Sequence, residues 1–252
     1  EVGDNGLIDA DSITVLKRIE QPYRNHNGGF LVHAGNSSYL WGLGDGGSAN
    51  DPHSHGQDQS SPLGAILLFE FRENEVLAVL DNSTGDPYIL HSGLRNPWRF
   101  DIGNSDDLWI ADVGQNCWEE VNLVSLIERA NLGWSEREGF QEFQEEMSCS
   151  STRDSSENGL TDPLLAYSHE NGNCSITGGY WMNWGPETLR DGYLYGDFCT
   201  GSIWILEETE GEWNERYLGN SGGMIVGFGK GFDEEILVFH WAGDIVMING
   251  KT

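Results

Sequence analysis

The run Gly93-Leu94-Arg95-Asn96-Pro97-Trp98-Arg99-Phe100 sets two guanidinium groups and an amide at the mouth of a strand-like segment. A fixed arginine there can stabilise negative charge building on an oxygen. His26, in Asn25-His26-Asn27-Gly28-Gly29, can take a hydroxyl proton near pH 7 as a neutral imidazole. Asp45, in Gly44-Asp45-Gly46-Gly47, can accept hydroxyl hydrogen bonds at a strand end. Leu108-Trp109-Ile110-Ala111-Asp112-Val113-Gly114-Gln115-Asn116, followed by Trp118-Glu119-Glu120-Val121-Asn122, puts turn carbonyls beside carboxylates, and calcium prefers oxygen donors of both kinds. Each feature also has a plain structural reading: a capped turn histidine, an arginine paired with a carboxylate, a turn aspartate, a solvated strand edge. His53 and His55, beside Asp51 and Asp58, are read as a polar loop rather than a metal site.

The elements that must hold these groups are short strands. Apolar and aromatic runs at 30–33, 39–43 and 65–71, with Gly35-Asn36 as a turn, suggest a first sheet. Runs at 88–91, 98–101, 108–111 and 120–124 suggest a second, with a short helix over 123–130 as an option. The segments 175–182, 192–197 and 202–207 suggest a third, and 215–218, 224–228, 235–239 and 244–249 a fourth. Four sheets recurring every roughly 40 to 60 residues read as propeller blades, with a β-sandwich as the alternative. The 252 residues are therefore expected to form one all-β, partial β-propeller domain, with an irregular insertion at about 139–163 that is rich in Glu, Ser and Gln. A hairpin turning near Pro186-Glu187 would bring Cys174 against Cys199 as a cross-strand disulfide.

Composition narrows the partners. Forty-one acidic against thirteen basic residues give a formal charge of −28, which repels nucleic acid and anionic membranes and is read first as a solvated surface. Thirty-four glycines, ten tryptophans and no long apolar run argue for tight turns and against membrane spans. Four cysteines without Cys-x-x-Cys spacing favour disulfides, hence a secreted protein, extracellular or periplasmic. The first residues read as the middle of a domain, so the chain is expected to be truncated or processed. The oligomeric state is not set by these features.

Taken together, the His-Asn-x-Gly and Gly-Leu-Arg-Asn-Pro-Trp motifs, the Asp112 to Asn122 region and Ser175-Ile176-Thr177-Gly178-Gly179 resemble the glucose/sorbosone dehydrogenase family, the soluble quinoprotein sugar dehydrogenases. The resemblance covers nearly the whole chain from about Ile13. It implies a six-bladed propeller of which about four blades are present, and oxidation of an aldose at its anomeric carbon, with pyrroloquinoline quinone (PQQ) and calcium as cofactors and an unidentified electron acceptor. It implies His26 as general base, Arg95, Asn96 and Arg99 at the quinone, and Asp45, Asn50 and Tyr180 near the sugar. One of Tyr180, Trp181 and Trp184 would then face the channel. It also implies calcium on the carbonyls of Gly114 and Gln115, and a second calcium on Glu119 and Glu120 with a carbonyl from Asn131 or Leu132. Cys149 lies in the acidic loop without the local partner that relatives have, so a second disulfide with Cys117 is expected.

The chain departs from the family in its cations. Met182-Asn183, the run Gly64-Ala65-Ile66-Leu67-Leu68 and the segment Met224-Ile225-Val226-Gly227-Phe228-Gly229-Lys230 stand where relatives carry basic residues. A second function follows from the same resemblance: a non-catalytic, extracellular binding module on the scaffold of the hedgehog-interacting protein.

Overall fold

The computed structural model describes residues 6–248 apart from 82, 84, 105, 146–148, 150–152 and 155–158. The first sheet contains β1 (Leu31–His33), β2 (Ser38–Leu43), β3 (Ala65–Arg72), β4 (Glu75–Ala78) and β5 (Ile89–Ser92). The second contains β6 (Pro97–Ile102), β7 (Asp107–Asp112) and β8 (Trp118–Ser125). β9 (Ala130–Asn131) returns to lie parallel to β5. β10 (Arg137–Glu138) and β11 (Gln141–Glu142) form a small hairpin, and β12 (Leu165–Ser168) completes the second sheet against β8. The third sheet runs β13 (Ile176–Trp181), β14 (Gly192–Asp197), β15 (Ser202–Thr209), β16 (Glu212–Asn220), and the fourth β17 (Ile225–Lys230), β18 (Ile236–His240), β19 (Ile245–Ile248).

Three apolar layers separate the four sheets. Leu40, Ile66, Leu90, Phe100, Leu108 and Ile110 fill the first gap. Trp109, Val121, Ile176, Tyr193 and Tyr195 fill the second, where the Trp109 ring stacks on both Trp181 and Tyr193. Leu194, Ile205, Ile225, Phe228 and Val238 fill the third. At the inner edge β6 packs against β2 and β13, and β13 against β17. The approach is close because Gly42 has no side chain: a Cβ there would come within 2.6 Å of the Phe100 ring. This is the blade order of a propeller, all-β as the sequence predicts.

Blade membership differs from the sequence reading in two places. β5, expected in the second sheet, pairs with β3 through Ile66 and Leu67, while β4 takes the other end of the same edge. The segment 215–218, expected in the fourth sheet, lies in β16 of the third. The Glu210-Gly211 turn, with positive φ at both residues and Thr209 facing Glu212, is the two-residue hairpin that right-handed strand twist favours. No helix forms over 123–130, because β8 runs through Ser125 on the edge of β7. The insertion at 139–163 is not wholly irregular, since β11 lies in it; residues 146–148, 150–152 and 155–158 fall outside the described set. Asn249, at the end of the last expected strand, also falls outside it.

Both expected disulfides are present, Cys174 to Cys199 with Cα atoms 5.7 Å apart and Cys117 to Cys149 at 5.4 Å. Ile176 faces Asp197 in the β13–β14 ladder, so Cys174 and Cys199 continue that register two pairs beyond the strand ends. None of the helices among the described residues is long and apolar enough to cross a membrane.

Candidate functional site

His26 lies on the loop before β1 with φ of 52°, and its Nδ1 is 2.8 Å from Oδ1 of Asp45. The His26 side chain is 9% exposed and that of Asp45 is fully buried. A carboxylate can only accept here, so Nδ1 carries the proton and Nε2 keeps its lone pair. No described residue takes that lone pair. Asp45 also accepts the amide of Gly47 at 2.8 Å and the indole N–H of Trp134 at 2.9 Å. Enclosed in this way, Asp45 holds the His26 ring; the sequence reading has it accept hydroxyl hydrogen bonds.

Arg95 joins the same cluster through its backbone, whose carbonyl accepts the Asp45 amide at 2.8 Å. Its guanidinium lies 5.5 Å from the Trp134 ring centroid, and Nη1 donates to the carbonyls of Val113 and Gly114 at 3.0 and 2.6 Å. Nε is buried without a partner. Burial lowers the Arg95 pKa, opposed by the carboxylates of Asp45, Asp112, Glu119 and Glu138. The amides of Arg95 and Asn96 both donate to Asp112, at 2.9 and 2.7 Å. Burial pushes Asp112 up to about 7 despite those two bonds. Trp134, which links Asp45 to Arg95, was not found from sequence. Its only signal there is an aromatic after a glycine, which core residues share.

The expected calcium ligands do not converge. Glu119 and Glu120 are successive residues of β8, so pleating turns them to opposite faces of the sheet. Glu119 accepts His169 Nε2 at 2.7 Å and the Ile176 amide at 2.8 Å; Glu120 accepts the Gly139 amide at 2.6 Å and Asn122 Nδ2 at 3.2 Å. Burial raises both carboxyls, Glu120 to about 8 with Asp112 adding to the shift. Burial works against charge on His169, yet the bond to Glu119 leaves its pKa raised. The carbonyl of Asn131 accepts the Thr161 amide at 2.7 Å. Among the described residues no group of three His, Cys, Asp or Glu side chains is placed to hold a metal ion.

The turn after β7 is organised from within. Glu138 Oε1 accepts the amides of Gln115, Asn116, Cys117 and Trp118 at 2.8, 2.7, 2.9 and 3.1 Å, a nest of backbone donors filled by a side chain. The Gln115 side chain ties this turn to Asn50, accepting its amide at 2.7 Å and donating to its Oδ1 at 2.6 Å. Asn50 is thus a bridge between loops of the first and second sheets.

Arg99, on β6, places its guanidinium 4.9 Å from the Phe30 ring and against Gly227 of β17. It closes the inner edge of the sheets apart from the His26 cluster. Tyr180 packs edge-on against Trp184, and its hydroxyl donates to the Phe228 carbonyl at 3.4 Å. Trp181 and Trp184 are buried. All three pack in the inter-sheet core, Tyr180 only partly buried; the sequence reading has one of them facing the channel. His55 donates Nδ1–H to the Asp45 carbonyl at 2.7 Å, and His53 stacks on Tyr23, the loop role expected of both.

Asn96 opens onto a pocket of about 410 Å³ at the inner ends of the second, third and fourth sheets. Its walls are Asn96 and Trp98, Ser175 and Thr177 with Phe198, and Ile225, Val226, His240 and Trp241. Sequence reasoning did not assemble this pocket, because its walls come from three sheets.

The glucose/sorbosone dehydrogenase family model matches residues 6–207. Among curated proteins, the chain is 31% identical over 215 residues to the HIPL2 protein of Arabidopsis thaliana and 28% identical over 222 residues to its HIPL1 protein. These alignments cover 75% of this chain and 30% of each relative, so the chain spans under a third of their length. Among solved structures, a glucose dehydrogenase superposes with a TM-score of 0.76 at 16% identity, covering 100% of this chain and 72% of the other. The PQQ-bound aldose sugar dehydrogenase of Streptomyces coelicolor gives 0.63 at 18% identity over 87% of this chain and 58% of the other. The apo aldose sugar dehydrogenase of Escherichia coli gives 0.68 at 17% over 94% and 72%. At such identities the structural likeness speaks for the propeller fold. With the family model covering most of its length and the same blade order in its structure, this chain belongs to the glucose/sorbosone dehydrogenase family.

Proposed function

We propose that the chain carries the base of a sugar dehydrogenase that oxidises an aldose at its anomeric carbon. The observation that carries this reading is the His26–Asp45 pair, with Nδ1 held by a buried carboxylate and Nε2 without a partner among the described residues. In this reading Nε2 takes the proton of the anomeric hydroxyl while hydride leaves the same carbon for an acceptor, and the aldose becomes a lactone. Asp45 fixes the ring and stabilises the imidazolium that forms. Arg95 sets positive charge near the acceptor oxygen on which negative charge grows.

PQQ and calcium, the cofactors that the resemblance implies, do not fit the donor chemistry of the residues present. PQQ is a tricarboxylate, whereas the described walls of the pocket beside Asn96 hold no lysine or arginine. Arg99 is engaged at Phe30 and Gly227. The Gly114 carbonyl, expected on calcium, accepts Arg95 Nη1, and a cation would meet a guanidinium there. No step is assigned to PQQ.

The missing cations favour a second reading, the non-catalytic binding module. Aldose-dependent reduction of added quinones by the purified protein separates the two. Turnover that His26→Ala abolishes supports the dehydrogenase. Aldose binding without reduction of any acceptor, PQQ with calcium included, supports the binding module.

A further inference from the structure

We propose that Asn36 is an N-glycosylation site, its side-chain amide carrying an oligosaccharide acquired on passage through a eukaryotic secretory lumen. The inference is independent of the aldose reading.

Three Asn-x-Ser/Thr triplets without proline stand at Asn36, Asn82 and Asn173, the pattern that the lumenal transferase accepts. Asn82 lies outside the described residues. The structure separates the other two. Asn36 is exposed in the loop that joins β1 to β2, with φ of 50°. Backbone groups hold this loop: the Ser38 amide donates to the Gly35 carbonyl at 2.9 Å, the Ala34 amide to the Ser38 carbonyl at 2.8 Å, and His33 Nε2 to the Asn36 carbonyl at 3.0 Å. The side-chain amide of Asn36 has no hydrogen-bond partner among the described residues, so a sugar attached there breaks no contact. A left-handed backbone alone would accept Gly, Asp or Asn. The amide together with the Ser38 hydroxyl two residues on makes the position an acceptor.

Asn173 is built the other way. It is half-buried, its Nδ2 donates to the Ser168 carbonyl at 3.4 Å, and its Oδ1 accepts Thr200 Oγ1 at 3.2 Å. The middle residue of its triplet, Cys174, is bridged to Cys199. A glycan on Asn173 would have to give up both hydrogen bonds beside a closed disulfide, so the folded chain carries sugar at Asn36 and not at Asn173.

The position suits a bulky, solvated group. β2 runs from Ser38 to Leu43, a length of roughly 20 Å, and Asp45 lies just past its far end. A glycan on Asn36 therefore points away from the His26 site and leaves its mouth open. The two disulfides belong to the same oxidising compartment as the transferase. In the transfer, Asn36 Nδ2 bonds to the anomeric carbon of a lipid-linked oligosaccharide as the sugar–phosphate bond breaks. The lipid pyrophosphate leaves with the electron pair, the Nδ2 proton passes to a base of the transferase, and nothing is oxidised or reduced.

The test is to secrete the whole chain from yeast, treat it with peptide N-glycosidase in heavy-oxygen water, which turns each glycosylated Asn into a labelled Asp, and map the label by peptide mass spectrometry. We expect label at Asn36 in most chains and none at Asn173. Asn36→Gln and Ser38→Ala should each lose that glycan, and Ser38→Ala keeps the Asn36 turn, so circular dichroism should show the parent fold. An unlabelled Asn36 in the secreted chain, or Asn173 labelled as fully as Asn36 in the disulfide-bonded chain, would overturn the proposal.

Discussion

His26 Nδ1 and Asp45 Oδ1 lie 2.8 Å apart with the carboxylate wholly buried, so one tautomer of the imidazole is selected before any ligand arrives. His26→Ala is expected to lower aldose turnover by roughly 10² to 10⁴-fold while leaving the fold intact by circular dichroism. Asp45→Asn should cost on the order of 10²-fold or more in kcat, because an amide no longer holds the proton on Nδ1. Its signature is a changed pH profile of kcat alongside a near-normal KM, measured by steady-state kinetics.

Gly44 sits where the His26 and Arg95 carbonyls converge, and a Cβ there would lie 2.2 and 2.8 Å from those oxygens. Gly44→Ala is expected to destabilise the fold by about 1–3 kcal/mol through overpacking and to abolish turnover by displacing the base. Gly35→Ala is the control: it meets open space and carries only the strain of φ +89°, about 1 kcal/mol. Thermal unfolding and activity should separate the two variants; equal behaviour would contradict the packing argument.

Asp101, which accepts the Trp181 amide at 2.9 Å, is pushed by burial from 3.8 to about 6. The folded chain keeps this proton through a range where the unfolded chain has lost it, so its contribution to stability falls as pH rises from 3.8 to about 6. Asp101→Asn should therefore show a shallower decline of unfolding free energy across that window. Denaturant titrations at pH 4, 5 and 6 check this, and an unchanged slope would count against it.

The Cys174–Cys199 bridge closes a loop of sequence separation 25, and restricting that loop in the unfolded chain is worth roughly 3 kcal/mol. The paired Cys174→Ser and Cys199→Ser variant should lose about that much in equilibrium unfolding. Reductant opens both bridges, so the reduced parent and reduced variant should converge, and the variant should respond to reductant only through Cys117–Cys149.

The sequence by itself determined what depends on neighbours in the chain. The strand runs, the β13–β14 register that carries Cys174 to Cys199, and the motifs at His26, Arg95 and Asn96 are local patterns of period two, turns and spacing. Tertiary structure decided what depends on distant partners. Trp134 meets Asp45 across a separation of 89, and Glu138 fills the nest at 115–118 from another hairpin, contacts that no local pattern encodes. The same holds for Asp45, which reads as an open turn carboxylate until Trp134 covers it, and for Glu119 and Glu120, adjacent in sequence but parted by the pleat of β8. β5 shows the limit for the fold: its residues name a strand, but only competition for the edge of β3 fixes which sheet receives it. The pocket beside Asn96 is the extreme case. Its walls are ordinary core-like residues in each strand, and they acquire a chemical character only where three sheets converge.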